Sequence, residues 1–259
     1  MTAVRKPGIG MFTVHRAVQK DMLGTFRLLA DMGYDGIEFY GEPADFEVER
    51  TREALDRSGL RLTSWHIEWH NLQRDTVAGT MEYLKRIGCA IAVIPCLGGK
   101  WNVAHNAGQE CKEVWLKYIR QMNALVETLE QNGIRMGYHN HEHEFMLRYD
   151  GRTVFDLLWN KLDPRIIMEF DSGNCIEGNE DPRAVLDRYP QRSVLLHLKP
   201  YSHTKGFDVV LGDSDDENRW ETLLPDPNGR ILEYLIESEC ASLPELVNAQ
   251  LCINGFRRY

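Results

Sequence analysis

The sequence predicts a (β/α)8 barrel, in which eight parallel strands form a closed inner sheet and helices surround it. Strand-like and helix-like segments alternate along the 259 residues, and this alternation is typical of a parallel sheet. Eight strands at this length favour a closed barrel over an open doubly wound sheet. The open dinucleotide-binding fold is the alternative, but no Gly-x-Gly-x-x-Gly motif follows the first strand. Because no linker or low-complexity tract interrupts the pattern, we assign residues 1–259 to one domain.

Each predicted strand is followed by a helical pattern, except the seventh, which leads into a polar, acidic loop. The predicted strands cover residues 8–12, 36–40, 61–67, 90–96, 134–139, 166–170, 193–199 and 231–237. The helices have apolar residues at helical spacing, and several end at a glycine. They cover residues 21–32, 45–58, 75–87, 109–132, 153–160, 181–189 and 243–253.

The acidic composition argues against some classes of function. The chain has 30 Lys and Arg against 39 Asp and Glu, a formal net charge of -9, so an extended surface for nucleic acid is not expected. The longest apolar run, residues 89–97, is too short to span a bilayer, and no signal-peptide core follows the amino terminus. The six cysteines form no Cys-x-x-Cys pair, as expected for reduced thiols. We therefore expect a cytoplasmic protein that binds neither nucleic acid nor membranes.

Polar side chains recur where each predicted strand ends. In barrels of this kind, the chemistry lies at the carboxyl ends of the strands, on one rim. The sequence places there His15, Glu38, His66, Glu68, His70, the run 139–144, Glu169, Asp171, His197, Lys199, Glu237 and Glu239. Their position on the same rim predicts an active site.

Four of these residues are predicted to bind a metal ion, namely Glu144, Asp171, His197 and Glu237. They lie near the ends of the fifth to eighth strands, which are consecutive along the chain. Three carboxylates and one imidazole suit Mn²⁺, Mg²⁺ or Co²⁺, whereas zinc more often recruits further His or Cys. Each residue alone has a structural explanation, such as a salt bridge from Glu144 to Arg148. Their joint position on neighbouring strands favours the metal site.

The segment 138–145, YHNHEHEF, supplies candidates for proton transfer and substrate binding. We expect the chain to curl after His141, with His143 as an acid or base beside Glu144. A metal-bound carboxylate, Glu144 or Glu237, is the alternative base, and Lys199 is expected to stabilise an oxyanion or carry a proton. The predicted substrate-binding residues are Glu38, His66, Trp101, His139, Asn140 and His141. A histidine-rich loop without chemistry is the alternative for the whole segment.

At these residues the chain resembles the sugar phosphate isomerase/epimerase family of xylose isomerase-like TIM barrels. The matching segments are YHNHEHEF, against the HNHxxEF motif of one branch, and then EFDSGN, HLK and the weaker LIESE. The resemblance implies a divalent metal, usually manganese, held by Glu144, Asp171, His197 and Glu237. It also implies removal of a proton next to a carbonyl group of a sugar-like substrate.

Two departures from the family pattern suggest a specialised substrate. His143 stands where this branch often has an aromatic residue, and the acidic LGDSDDENRW follows the seventh strand. Some members of the family are lyases, including inosose dehydratases and the catalytic subunits of bacterial C-glycoside deglycosidases. We therefore expect a metal-dependent sugar isomerase or epimerase, with a carbon-carbon or carbon-oxygen lyase as the alternative. Phosphodiester hydrolysis, which the net charge disfavours, and a non-catalytic sugar-binding subunit are further alternatives.

The expected substrate is a small unphosphorylated sugar or glycoside, because few Lys and Arg residues lie at the predicted rim. We expect an oligomer. The deglycosidase alternative implies a hetero-oligomer with a small β-rich subunit.

Overall fold

A closed barrel of eight parallel strands forms the centre of the computed structural model, which describes residues 6–98 and 111–259. This confirms the predicted fold. The strands are β1 Gly8–Gly10, β2 Gly36–Tyr40, β3 Arg61–His66, β4 Ile91–Ile94, β5 Arg135–His139, β6 Arg148–Tyr149, β7 Arg152–Thr153, β8 Ile167–Asp171, β9 Val194–Leu198 and β10 Ile231–Ile236. The strands β6 and β7 form a separate antiparallel pair, and the other eight close in the order β1-β10-β9-β8-β5-β4-β3-β2.

Helices connect consecutive barrel strands, and their ends follow local sequence signals. The side chain of Asp21 caps one helix by accepting a hydrogen bond from the amide of Gly24, and Asp181 does the same for Ala184. Gly59 ends another in the left-handed conformation. The helices are α1 His15–Lys20, α2 Met22–Met32, α3 Val48–Ser58, α4 Val77–Ile87, α5 Lys112–Gln131, α6 Glu142–Met146, α7 Val154–Trp159, α8 Ser172–Glu177, α9 Pro182–Arg188, α10 Trp220–Leu223 and α11 Glu245–Phe256.

The sequence did not predict the short helices α1, α6, α8 and α10. Two of them, α6 and α8, begin within three residues of the ends of β5 and β8. The chain therefore curls after His141, as predicted. The first residues of the predicted helix 109–132 lie outside the described residues. Within the described part of the chain, no helix has both the length and the hydrophobicity needed to cross a lipid bilayer.

The inside of the barrel is divided into an apolar layer and a polar layer. Val93, Ile167, Leu195 and Leu235, from four different strands, form a buried cluster of their own. Successive side chains of a strand point to opposite faces, so residues two apart share a direction. Glu169, His197 and Glu237 stand two positions after three of these apolar residues. Polar groups consequently lie above an apolar floor, towards the carboxyl ends of the strands.

Gly173 allows the start of α8 to pack closely against the end of β9. A Cβ atom at this position would lie 2.6 Å from the backbone oxygen of Lys199 and 3.0 Å from its Cβ. Neither group can move without shifting the strand that carries His197. The glycine of the DSGN motif thus fixes the distance between two elements of the polar layer.

We expect Gly173→Ala to destabilise the protein by about 1–3 kcal/mol, because overpacking against backbone atoms forces the elements apart. Thermal or urea unfolding measures the change. Gly79→Ala, within α4, is the matched control, since a Cβ there meets no atom within 4 Å and alanine favours the helix by about 0.5–1 kcal/mol. Equal stability of the two variants would contradict the close-packing role of Gly173.

Candidate metal centre

Two imidazoles and two carboxylates converge at the carboxyl ends of β5, β8, β9 and β10. His139 and Asp171 are the last residues of β5 and β8, His197 lies within β9, and Glu237 directly follows β10. All four side chains are buried, and each offers a ligand atom within 4.8 Å of the others. The Nε2 atom of His139 is 3.8 Å from Oδ2 of Asp171, and Nδ1 of His197 is 3.4 Å from Oε2 of Glu237.

The two oxygens of Asp171 have different surroundings. Its Oδ1 accepts a hydrogen bond of 2.7 Å from the amide of Asn174 and so caps α8. Among the described residues, its buried Oδ2 has no hydrogen-bond partner. A buried carboxylate oxygen without a donor is costly unless something else binds it. The four residues therefore fit a divalent cation, and this buried cluster could bind a metal ion.

Two further buried carboxylates, Glu38 and Glu169, orient the histidines of this cluster. Oε1 of Glu169 lies 3.0 Å from Nδ1 of His139, and Oε1 of Glu38 lies 2.8 Å from Nε2 of His197. If the ring N–H of His139 donates to Glu169, its Nε2 faces the cluster. His197 and Glu38 form an ion pair, and Nδ1 of His197 lies on the side of Glu237. Carboxylate-histidine pairs of this kind fix the tautomer of metal-binding histidines and strengthen them as ligands.

His66 bridges the same two carboxylates from β3. Its Nε2 is 2.5 Å from Oε1 of Glu169 and 3.2 Å from Oε1 of Glu38. Ser64, on the same strand, donates a hydrogen bond of 2.5 Å to Oε2 of Glu38. Burial alone would lower the pKa of His66, but Glu38 and Glu169 hold it well above its ordinary value. His66 is therefore a largely buried cation that holds the two orienting carboxylates together.

The pKa values of the cluster reflect the same competition between burial and neighbouring charge. Burial, opposed by Lys199, raises the pKa of Asp171 to about 7, and burial together with Glu38 raises that of Glu169 to about 7. Burial would also raise the pKa of Glu237, but Lys199 and His197 hold it below its ordinary value. Burial and the neighbouring His197 lower the pKa of His139 well below its ordinary range, so its imidazole is neutral and suited to bind a metal.

Lys199 is a buried cation between three carboxylates. Its Nζ donates to Oε1 of Glu237 at 3.1 Å, lies 2.5 Å from Oε1 of Glu239 and is 3.7 Å from Oδ2 of Asp171. Burial disfavours the charged amine, but these carboxylates keep the pKa of Lys199 well above its ordinary value. The ring of Phe207 covers the ammonium group at 4.7 Å. The charge of Lys199 is thus permanent near neutral pH.

One cavity opens above this cluster. It has a volume of about 210 Å³, and His139, Lys199 and Glu237 belong to its wall. This is below the roughly 300–1,000 Å³ of pockets that hold drug-sized ligands, so it suits a small molecule. The remaining lining groups that bear on its chemistry are Phe12, Glu38, Tyr40, His66, Glu68, Cys96, His141, Asn174, Phe207 and Glu239.

The structure does not bring His143 and Glu144 to the cluster. Tyr138 donates a hydrogen bond of 2.5 Å to Oε1 of Glu144, and the amide of His141 donates one of 2.8 Å to Oε2, so this carboxylate caps α6. Nε2 of His143 lies 3.2 Å from Oε1 of Glu144 and 3.2 Å from the backbone oxygen of Leu97. Neither residue is in the cavity wall. Three of the predicted ligands, Asp171, His197 and Glu237, belong to the cluster, and His139 takes the place predicted for Glu144.

The predicted substrate-binding residues divide into two groups. Four of them line the cavity, namely Glu38, His66, His139 and His141. Glu38, His66 and His139 also belong to the buried network. Asn140 instead exchanges two hydrogen bonds with the backbone of Asp171, at 3.0 and 3.2 Å, and so ties β5 to β8. Trp101 lies outside the described residues. The sequence analysis did not identify Ser64 and Phe207, because neither their residue types nor their spacing distinguishes them as site residues.

Comparisons with known proteins agree with this architecture. The profile of the family described as xylose isomerase-like TIM barrel matches residues 26–224, which is more than half of the chain. An inosose dehydratase from Geobacillus kaustophilus (strain HTA426) is 24% identical over 212 residues, covering 76% of this chain and 65% of that protein. The matches span less than two thirds of the length of the curated relatives.

Solved structures of related fold cover nearly the whole chain. A sugar phosphate isomerase/epimerase from Parabacteroides distasonis ATCC 8503 has a TM-score of 0.78 at 19% identity, with 98% of both chains covered. The 3-keto-D-glucoside 4-epimerase from E. coli has a TM-score of 0.64 at 14% identity, again with 98% of both chains covered. At these identities the likeness shows the fold alone.

We expect Glu38→Gln and Glu169→Gln each to weaken metal binding about 10–100-fold, because an amide orients and polarises a ligand imidazole less well than a carboxylate. Calorimetric titration of metal-free protein with Mn²⁺ measures the affinity. Glu68→Gln is the matched control, since Glu68 lines the same cavity, whereas His139 and His197 pair with Glu169 and Glu38. Unchanged affinity in both test variants would show that these carboxylates do not support the ligands.

Proposed function

Because the chain belongs to the xylose isomerase-like TIM barrel family, we propose that it is a divalent-metal-dependent enzyme that isomerises or epimerises a keto sugar or sugar derivative. The reaction begins with removal of the proton on the carbon next to the carbonyl group, and it ends with return of a proton. The observation that carries this proposal is the cluster of four buried ligand groups, two of which, His139 and Glu237, border one small cavity together with Lys199.

We assign the metal to His139, Asp171, His197 and Glu237. This set replaces Glu144 of the sequence-based set by His139 and contains two imidazoles rather than one. Nitrogen ligands favour a transition metal such as Mn²⁺ or Co²⁺ over Mg²⁺, which prefers oxygen. A divalent ion in this place supplies Lewis acidity for polarising the substrate carbonyl.

Lys199 is the second source of positive charge. Its ammonium group borders the cavity and is held by Glu237 and Glu239, so it needs no reorganisation when negative charge develops on the substrate oxygen. A donor fixed in advance in a dry site is worth more than the same donor in water. We assign Lys199 to stabilising the enolate oxygen of the substrate.

Glu68 is the proton acceptor that we favour. It lies in the cavity wall, and burial raises its pKa above the ordinary value, which makes it a stronger base than Glu237. The carboxylate of Glu237 is already committed to Lys199 and His197. His141, whose pKa is lowered by burial and by Lys199, provides a neutral imidazole in the same wall. His143, the base predicted from the sequence, faces Leu97 and Glu144 instead.

A lyase is the second candidate, and the inosose dehydratases among the relatives favour it. The first step is the same deprotonation. If a hydroxyl group stands on the carbon beyond the one deprotonated, it leaves with a proton, and the products are water and an unsaturated ketone. Lys199, whose ammonium group lies at the cavity 2.5 Å from Oε1 of Glu239, is the group that could supply that proton. The predicted oligomer and its small β-rich partner subunit stay predictions.

We expect protein loaded with Mn²⁺ to exchange solvent deuterium into the carbon next to the carbonyl of a small keto sugar, such as 3-keto-glucose or an inosose. NMR follows the exchange, and recovery of an epimer or an unsaturated ketone separates isomerase from lyase. His139→Ala should lose both bound metal and exchange. Glu144→Gln should keep its metal, as measured by metal analysis. If the metal is lost from Glu144→Gln and retained by His139→Ala, the ligand set inferred from the sequence is the correct one.

Glu68→Gln should lower the exchange rate by about 10²–10⁴-fold, because it removes the general base without touching the metal ligands. The metal content should equal that of the wild type. Glu42→Gln is the matched control on the same rim, since Glu42 is partly exposed and pairs with His70. If Glu68→Gln exchanges at the wild-type rate, another group accepts the proton.

A further inference from the structure

The loop between β9 and α10 supplies part of the wall of the catalytic cavity. It covers residues 199–219, and both Lys199 at its start and Phe207 in its middle line the cavity. The ring centroid of Phe207 lies 4.7 Å from Nζ of Lys199 and 5.0 Å from the ring centroid of the buried Tyr201. The place of the ammonium group therefore depends on how firmly this loop is held.

The carboxylate of Asp216 ties the loop together. Its Oδ1 accepts hydrogen bonds from the backbone amides of Tyr201 at 3.4 Å and Asn218 at 3.2 Å, and from the side-chain amide of Asn218 at 2.9 Å. Its Oδ2 accepts one of 2.9 Å from the amide of Gly212 and one of 2.6 Å from Nε1 of Trp220. All of these donors are N–H groups, and bonds from N–H groups to an ionised carboxylate are stronger than those between neutral groups.

Asn218 connects this carboxylate to the backbone of Lys199. The side-chain nitrogen of the buried Asn218 donates 2.9 Å hydrogen bonds both to Oδ1 of Asp216 and to the backbone oxygen of Lys199. From the side of α8, Oγ of Ser172 accepts a hydrogen bond of 3.4 Å from the backbone amide of Lys199. The backbone from which the lysine side chain extends is therefore held at its amide and at its carbonyl group.

A second attachment holds the loop directly after Phe207. Oδ1 of Asp208 accepts a hydrogen bond of 2.9 Å from the amide of Ser242. Ser242 follows soon after Glu239, whose Oε1 lies 2.5 Å from Nζ of Lys199. The loop is thus attached on both sides of the ammonium group, which describes a fixed wall of the cavity and not a hinged cover.

We propose that Asp216 is a positioning residue, which acts through Asn218 and the loop to hold the ammonium group of Lys199 and the ring of Phe207 where negative charge develops on the substrate oxygen. This inference rests on the proposed function, because that function assigns Lys199 to the enolate oxygen. Asp216 itself lies outside the cavity wall. It can nevertheless affect the rate, since a displacement of about 1 Å at a reacting group can cost about 10²-fold.

The first test is the rate of deuterium exchange into a keto sugar by the Mn²⁺-loaded protein. Asp216→Asn should lower kcat about 10–100-fold with KM within about threefold, because an amide cannot accept all of these hydrogen bonds and the lost interaction belongs to the transition state. Bound Mn²⁺ should be unchanged. In a Lys199→Met background the same substitution should cost less than about twofold, as expected for two residues that act together. Asp215→Asn is the matched control, since Asp215 is exposed and pairs with the exposed Lys205.

The second test needs no turnover. A ring above Nζ shifts the ammonium proton signals of a lysine upfield in a ¹⁵N–¹H spectrum, and the signal of Lys199 is identified by its loss from Lys199→Met. Phe207→Leu should remove the upfield shift, Asp216→Asn should reduce it, and Asp215→Asn should leave it unchanged. Trp220→Phe removes one donor to Asp216 and keeps an aromatic ring, so it should show smaller changes of the same kind and decides the matter if Asp216→Asn does not fold.

The outcomes separate the positioning role from the proposed function. A reduced ring shift in Asp216→Asn, without exchange into any keto sugar by the wild type, would sustain the link from Asp216 to Lys199 and overturn the proposed function. Exchange by the wild type, with an equal loss of kcat from Asp216→Asn in both backgrounds, would overturn the positioning role alone. An unchanged ring shift in both Asp216→Asn and Trp220→Phe would overturn it as well.

Discussion

The structure depends on mutual neutralisation of charged groups that the barrel buries together. An isolated buried charge costs several kcal/mol after relaxation, so no member of this network is stable alone. Glu38 and Glu169 are held by His66, and Glu237 is held by Lys199. Because the apolar layer of Val93, Ile167, Leu195 and Leu235 fills the barrel below, the polar groups can be reached only from the carboxyl rim. The same burial that makes the network costly also makes its geometry rigid.

Charge balance within this network favours a divalent cation. Glu38, Glu169, Asp171 and Glu237 together carry four negative charges when ionised. His66 and Lys199, whose pKa values are both raised well above their ordinary ranges, contribute two positive charges. Burial would lower the pKa of His197, but Glu169 and Glu38 hold it well above its ordinary range, so without a metal ion this residue contributes a third positive charge. A metal ligand must be neutral, and with His139 and His197 both neutral the remainder is two negative charges, which a divalent ion such as Mn²⁺ would balance. Glu169 and Asp171 each have a pKa of about 7. Without a metal ion, protonation of these two carboxyl groups therefore neutralises part of the negative charge.

The barrel and the gathering of polar residues at the carboxyl ends of its strands could be predicted from the sequence, because the alternation of strands and helices determines which strand ends meet. Asp171, His197 and Glu237 lie at or next to strand ends, where this argument is strong. Glu144 lies five residues beyond the end of β5, and α6 begins before it, so alternation of side-chain direction no longer applies there. His139, the last residue of the strand, was available as a ligand but was assigned to substrate binding. Contacts such as Ser64 to Glu38 depend on side-chain packing that periodicity does not encode.

In the proposed ligand set, His139 takes the place predicted for the carboxylate of Glu144, and this limits how protons can be transferred. When Nδ1 of His139 donates to Glu169 and Nε2 binds a metal, the imidazole has no lone pair left to accept a proton. A carboxylate ligand would keep a second oxygen for that purpose. With the proposed ligand set, proton transfer near His139 must therefore come from groups that do not bind the metal, and Glu68 and His141 are two such groups in the cavity wall. In the proposed site, metal binding and proton transfer are consequently divided between different residues on this side of the barrel.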